Sequence, residues 1–475
     1  MAIRFDSLPL SDRTLAALKE CNFTHMTEIQ ARSIPRLLAG SDVLGASRTG
    51  TGKTLAFLVP ALELLNRVQI KPRNGTVVLI ISPTRELASQ IHGVASKLMS
   101  AHSQTHMVIT GGLNRKVEAV KLKAGVNLLV ATPGRLLDHL RSTAGWIYHN
   151  LKYLVIDEAD RLLDIGFEED MNQILRFFQN TKRQTVLFSA TLSEKVKQLA
   201  NLSLKDPTYI GVESIEQSTV QGLEQGYWVV PLEKRLLLLI SSLYRSKKKK
   251  VMVFFSSCNS VKFHFELFCH IGLECLSIHG KQKQSTRTSA FTEFCAAENG
   301  LLLCTDVAAR GLDIPAVDWI IQYDPPPDPK EYIHRVGRTA RGEGARGRAL
   351  LFLLPQELLF TSDLKRSRVP IKLWPSSKPL NIQTFLETQI LKIQGMQRLA
   401  ADAFKSYLRS YQAHTAAFDI HKLDLQALAA SFCLKSIPPS CTSIHSNAAK
   451  HRKKRKGAGH AFSAEDPYGK RSKQG

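Results

Sequence analysis

The stretch Tyr153-Leu154-Val155-Ile156-Asp157-Glu158-Ala159-Asp160 places four apolar residues directly before two adjacent acids. An apolar run without polar alternation predicts a strand buried on both faces of a parallel sheet. Acids at the carboxyl end of such a strand stand where α/β proteins handle phosphates. About a hundred residues earlier, Ser47-Arg48-Thr49-Gly50-Thr51-Gly52-Lys53-Thr54 offers a glycine-rich turn whose backbone N–H groups can wrap a phosphate. Taken singly, each has a bland reading, an ordinary strand-to-helix turn and a solvated strand end. Their order along one α/β pattern points to nucleotide hydrolysis.

The chain of 475 residues is too long for one ordinary core, so two domains and an extension are expected. Its 64 Lys and Arg against 41 Asp and Glu give a formal charge of +23, which favours a polyanionic partner, nucleic acid first. The start, Met1 to Asp6, lacks the apolar core of a secretory signal, and no apolar run is long enough to span a bilayer. A soluble, intracellular protein with no membrane partner is expected. Cys21, Cys258, Cys269, Cys275, Cys295, Cys304, Cys433 and Cys441 show no C-x-x-C spacing, so they read as reduced thiols without a zinc site.

Short β-branched runs alternate with longer amphipathic stretches, the pattern of parallel strands joined by helices. Strands are predicted at Val43–Ala46, Thr76–Ile81, Leu128–Ala131, Lys152–Ile156 and Gln184–Phe188 in the first half. In the second half they are predicted at Val251–Phe255, Glu274–Ile278, Leu301–Cys304, Trp319–Tyr323 and Ala349–Leu354. Residues 1–212 and 227–355 thus read as two α/β domains, with 213–226 as a linker poor in core-forming residues. Residues 356–449 read as a helical extension, in which Phe404, Tyr407, Leu408 and Tyr411 form a packing stripe. The lysine- and arginine-rich residues 450–475 cannot bury a core and read as a disordered tail.

Triphosphate hydrolysis requires a phosphate cradle, a metal, an oriented water and positive charge on the transition state. Gly50 and Gly52 let the backbone approach, Lys53 supplies an ammonium, and Thr54 with Asp157 can hold Mg²⁺, the latter through water. Glu158 is placed to orient or deprotonate the attacking water. The remaining charge is found far downstream in His334-Arg335-Val336-Gly337-Arg338-Thr339-Ala340-Arg341. On a helix Arg338 and Arg341 share a face, which either contacts the phosphates across a cleft or is a solvated basic surface.

These residues together resemble the DEAD-box family of ATP-dependent RNA helicases. Phe23, Thr27, Ile29 and Gln30, with Phe5 upstream, resemble its adenine-reading motif, and the resemblance extends cofactor contacts to Ser47, Arg48, Thr49, Thr51, Gly311 and Asp313. Pro83-Thr84-Arg85, Gly111-Gly112 and Thr132-Pro133-Gly134-Arg135 resemble its RNA-backbone motifs, as do Gly280, Arg287 and Thr305-Asp306 in the second half. Ser189-Ala190-Thr191, Asp160 and His334 resemble the segments that couple hydrolysis to duplex opening. Ser47 and Asn22 depart from the family's usual Ala and Gly. The resemblance implies two tandem RecA-like domains, each a parallel sheet flanked by helices, with ATP and Mg²⁺ as cofactors.

Longer strings, among them Gly222 to Tyr227, Ser256 to Lys262 and His279 to Gln284, resemble the nucleolar, Myc-regulated DEAD-box subfamily, although Cys433 stands where that group has Gly. This resemblance implies remodelling of pre-ribosomal RNA in the nucleus and nucleolus, alongside pre-ribosomal particles and assembly factors, by a protein monomeric on its own. An ATP-dependent RNA clamp with little unwinding is the alternative.

Overall fold

A computed structural model describes residues 3–47, 50–68, 70–100, 102–211, 222–306, 317–340, 346–376, 378–413 and 418–438. The described residues form two seven-stranded sheets in which every strand pairing is parallel. The first holds β1 (Val43–Ala46), β2 (Val78–Ile81), β3 (His106–Ile109), β4 (Leu128–Ala131), β5 (Tyr153–Ile156), β6 (Gln184–Ser189) and β7 (Thr208–Gly211), in the order β3-β4-β2-β5-β6-β1-β7. Successive residues of β5 fall alternately into two cores, Tyr153 and Val155 on one face, Leu154 and Ile156 on the other. Both faces are covered, which is why the run is apolar throughout.

The second sheet holds β8 (Leu223–Val229), β9 (Lys250–Phe254), β10 (Leu276–Ile278), β11 (Gly300–Cys304), β12 (Trp319–Gln322), β13 (Gly347–Leu353) and β14 (Lys372–Leu373). Their order is β10-β11-β9-β12-β13-β8-β14. Two expected boundaries shift. Residues 223–226, expected as the end of the linker, begin β8, which lies inside the sheet between β13 and β14. The second lobe also runs past residue 355, because β14 pairs with β8.

The helices Gln383–Lys392, Met396–Ala413 and Leu425–Ser431 follow. Phe404, Tyr407, Leu408, Tyr411 and Phe432 belong to the same buried cluster as β9 to β13, so this extension is packed onto the second lobe. Among the described residues no helix is long and apolar enough to cross a membrane. Residues 212–221 and the basic stretch 450–475 lie outside the described residues.

Candidate active site

The phosphate loop leaves the carboxyl end of β1, where the Ser47 N–H donates at 3.0 Å to the carbonyl of Ser189, the last residue of the adjacent β6. The helix Lys53–Val68 starts directly after the loop, aiming its positive end at the turn. Lys53 is buried and donates Nζ to the Ser47 carbonyl at 3.1 Å. The Ser47 hydroxyl bonds the Thr51 hydroxyl at 2.5 Å, so the departure from Ala adds a brace within the loop. Gln30 accepts from the Thr27 N–H at 2.9 Å and donates Nε2 to the Gly52 carbonyl at 2.9 Å. Gly52 is required on two counts, a φ of +90° and a Gln30 Nε2 that would lie 2.5 Å from any added Cβ.

At the end of β5, Asp157 accepts the Glu158 N–H at 2.9 Å. Glu158 adopts the left-handed region at φ 47°, ψ 53°, a strain of about 1–2 kcal/mol for a non-glycine residue. Burial, with the neighbouring Glu158 and Asp160, pushes Asp157 up to about 6 against the pull of Lys53. Burial acts on Glu158 in the same sense, but Arg161 at 3.2 Å, Lys53, Arg338 and His334 outweigh it and hold its carboxyl below the usual range. Two adjacent carboxylates are thereby driven apart in acidity, with Glu158 the more acidic of the two and the candidate base.

A cleft of about 350 Å³ collects Phe23, Thr27, Gln30, Gly50, Gly52, Lys53, Thr54, Asp157 and Glu158 from the first lobe and Arg338 from the second. Arg338 is held by its Nε on the His334 carbonyl at 3.3 Å. Phe5 is not part of this wall: it is buried in the first lobe's core, with its N–H on the Thr24 carbonyl at 3.3 Å. Arg48, Thr49, Gly311, Asp313 and Arg341 lie outside the described residues. His25, Leu87, Gln90, Ile91 and Val94 also line the cleft. The last four lie on the helix Arg85–Leu98, and only their helical spacing could have signalled a shared face.

A second groove of about 550 Å³ runs between the lobes, lined by Pro83, Thr84, Arg85, Gly111, Thr132, Gly134 and Arg135 on one side and Gly280 and Arg287 on the other. Gly111 and Gly112 make room for Arg85, whose guanidinium would lie 2.8 and 2.7 Å from Cβ atoms at those positions. Thr132 precedes Pro133, the first residue of the helix Pro133–Ser142. Arg135 pairs with Glu118 at 2.8 Å and donates to the Leu113 carbonyl at 3.1 Å, so it holds the glycine loop in place. Glu86, Ile165, Phe167 and Gln282 join the lining.

Two expected RNA contacts lie elsewhere: Thr305 is buried, and Asp306 takes a two-pronged ion pair from Arg335 at 2.5 and 2.8 Å. Behind the acids, Asp160 Oδ2 accepts from the Thr191 N–H at 3.0 Å and its hydroxyl at 3.1 Å. The Ser189 hydroxyl donates to the Thr191 carbonyl at 2.7 Å and accepts from the Asp160 N–H at 3.3 Å, so the segments that leave β5 and β6 are bridged behind the cleft.

Comparisons with known proteins agree with this geometry. The DEAD/DEAH box helicase family matches residues 27–199, the helicase conserved C-terminal domain matches 234–343, and the C-terminal extension described as ATP-dependent rRNA helicase SPB4-like matches 394–440. The chain is 55% identical to the ATP-dependent RNA helicase has1 of Emericella nidulans, covering 95% of this chain and 75% of that protein. It is 53% identical to DEAD-box ATP-dependent RNA helicase 27 of Oryza sativa subsp. japonica, covering 98% and 82%. Among solved structures, Mss116p bound to ssRNA and AMP-PNP superposes with a TM-score of 0.83 at 26% identity, over 95% of this chain and 96% of that one. S. cerevisiae Dbp5 bound to RNA and ADP BeF3 superposes at 0.70 with 25% identity, over 82% and 99%. With both helicase domains and the extension matched in order, the chain belongs to the DEAD/DEAH box helicase family.

Proposed function

We propose that this protein is an ATP-dependent RNA helicase that locally opens structured RNA, with pre-ribosomal RNA as its substrate. The observation that carries the reading is Arg338, a second-lobe cation in the same cleft as Lys53, Asp157 and Glu158 of the first lobe. A site split between lobes is complete only when they close, so hydrolysis is tied to closure. The groove lined from both lobes forms in the same closed arrangement, and its glycines, threonine and helix start suit a sugar–phosphate backbone without reading bases.

The residues fit the expected cofactors. Lys53, Arg338 and the start of the helix Lys53–Val68 suit a triphosphate, and the Thr54 hydroxyl with the Asp157 carboxylate are the hard oxygen donors that Mg²⁺ takes. Bound there, Mg²⁺ would neutralise charge on the phosphates. Glu158 takes the proton of the attacking water, Lys53 and Arg338 hold the γ-phosphate charge, and Arg341 joins them. Asp160, Ser189 and Thr191 transmit the state of the acids to the RNA side.

The ribosomal RNA assignment is supported by the SPB4-like extension and by the net charge of +23. Lysine and arginine clusters at Lys450 to Lys456 and Lys470 to Lys473 support a nuclear, nucleolar address and an RNA tether, on pre-ribosomal particles. ATP turnover with and without single-stranded RNA tests the enzyme. Turnover is expected to rise with RNA, and a rate indifferent to RNA would sink the coupling. Strand displacement measured alongside separates unwinding from clamping. Crosslinking to cellular RNA tests the substrate, and sites scattered over messenger RNA would overturn the ribosomal assignment.

A further inference from the structure

The extension reaches into the polar interior of the second lobe. Tyr407, buried on the helix Met396–Ala413, accepts a hydrogen bond from Arg235 Nη1 at 3.2 Å. Arg235 is itself buried, pairs through Nη2 with Asp324 Oδ1 at 2.8 Å, and lies between the rings of Tyr323 and Tyr407 at 4.5 and 5.5 Å. The Asp324 Oδ2 accepts the Ser256 N–H and hydroxyl, both at 2.8 Å. Its carbonyl accepts from Arg335 Nη1 at 2.8 Å. Arg335 then starts the turn that presents the phosphate-facing cation, since the Arg338 N–H donates to the Arg335 carbonyl at 3.2 Å.

A buried guanidinium must keep its partners, so each member of this chain limits where the next can sit. Asp324 is the junction: its side chain is set by Arg235 and Ser256, its main chain sets Arg335, and Arg335 is anchored on the other side by Asp306. Without the Tyr407 hydroxyl, Arg235 loses one of its acceptors and Asp324 one of its constraints. The disturbance then reaches the turn carrying Arg338 without any change in the first lobe.

We propose that Tyr407 is a positioning residue for ATP hydrolysis, acting from the C-terminal extension through Arg235, Asp324 and Arg335 to fix Arg338 against the γ-phosphate. This rests on the reading of Arg338 as a phosphate contact. The extension is then part of the hydrolytic apparatus as well as a platform, and anything that binds it has a route to the ATP cycle.

The test uses the full chain at saturating single-stranded RNA. Tyr407→Phe keeps the ring and its packing but removes the hydroxyl. It is expected to lower kcat about 3- to 10-fold with KM for ATP unchanged, and to lower the unfolding temperature by only about 2–4 °C for the one buried hydrogen bond lost. Arg338→Ala should lower kcat further, and adding Tyr407→Phe to it should change kcat less than about 2-fold, because positioning has no effect once the positioned group is gone. Asp324→Asn, which strips the charge opposite the buried Arg235, should lower kcat at least as far as Tyr407→Phe, and combining the two should add little. A wild-type kcat in Tyr407→Phe, or an equal loss with and without Arg338, overturns the proposal. An Arg338→Ala enzyme of undiminished kcat would overturn the underlying reading as well.

Discussion

Arg287 of the second lobe reaches Glu86 of the first, Nη2 to Oε1 at 2.6 Å, with both side chains 8% exposed. Gln284 donates to the same carboxylate oxygen at 2.9 Å. The contact joins the first turns of the helices Gln284–Ala296 and Arg85–Leu98 at the edge of the inter-lobe groove. In separated lobes both charges would be hydrated, so the pair acts on closure rather than on either lobe alone.

Removing one member of a buried pair leaves its partner uncompensated only in the closed state. Arg287→Ala should therefore weaken single-stranded RNA binding about 10-fold or more with a non-hydrolysable ATP analogue present, and far less without nucleotide. The exchanged pair Glu86→Arg with Arg287→Glu should recover part of the loss. Equal weakening in both nucleotide conditions would mean that Arg287 serves RNA directly and not the latch.

Gly52 offers a sharper test of the nucleotide cleft. A Cβ there meets Gln30 Nε2 at 2.5 Å and must also adopt φ +90°. Gly52→Ala should weaken ATP binding about 10-fold or more, since the loop must move to relieve both faults. In a Gln30→Ala background, which already lacks the expected adenine contact, Gly52→Ala no longer meets Nε2 but keeps the backbone strain, so its further cost to binding should be smaller than in the wild type. Nucleotide titrations of the single and double variants distinguish the two contributions.

Glu158→Gln keeps the shape and size of the side chain while removing the proton acceptor. Turnover with RNA should fall about 10²- to 10⁴-fold, the usual worth of a general base. Binding of ATP and RNA should persist, because Lys53 and Arg338 face the same cleft. A variant that retains more than a tenth of wild-type turnover would transfer the base to another group.

Burial decides which elements are legible in the sequence. β5 could be seen in the sequence because burial on both faces makes every residue apolar. β8 could not: Leu223–Val229 interposes Glu224, Gln225 and Gly226, and the reasons lie far away in the chain. Gln225 accepts from the Tyr332 hydroxyl at 3.2 Å, and Gly226 gives way to Trp374, whose ring would lie 2.0 Å from a Cβ. Local pattern cannot show a polar residue that a distant partner satisfies. Glu86 carries no local signal either, because its partners Gln284 and Arg287 lie in the other lobe. At the two positions where the resemblance leads glycine to be expected, Asn22 has φ 61° and Cys433 φ 53°, so both are side chains accepted in left-handed backbone.

The second lobe should show a shallow acid response, because the buried groups His264 and Glu357 oppose each other, with His279, also lowered by burial, on the side of His264. His264 is fully buried, with Nδ1 at 2.8 Å from the Ser260 carbonyl, among Phe255, Phe263, Phe268, Tyr323 and Phe432. Burial pushes it from 6.5 down to about 4. The unfolded chain therefore takes up a proton first, and stability falls as pH drops from 6.5 towards 4, by about 2 kcal/mol at pH 5. Glu357 has the opposite sign: burial lifts it from 4.5 to about 7 against Arg235 and the Leu354 N–H. Its unfolded form ionises first as pH rises, so stability is lost between 4.5 and 7 and regained on acidification, again by about 2 kcal/mol from pH 7.5 to 5. Wild-type unfolding temperatures should thus differ little between pH 5 and 7.5. His264→Phe should make the second lobe more stable in acid than at neutrality, and Glu357→Gln should make it less so. Two variants that shift together, or profiles as flat as the wild type, would show that other groups control the acid response.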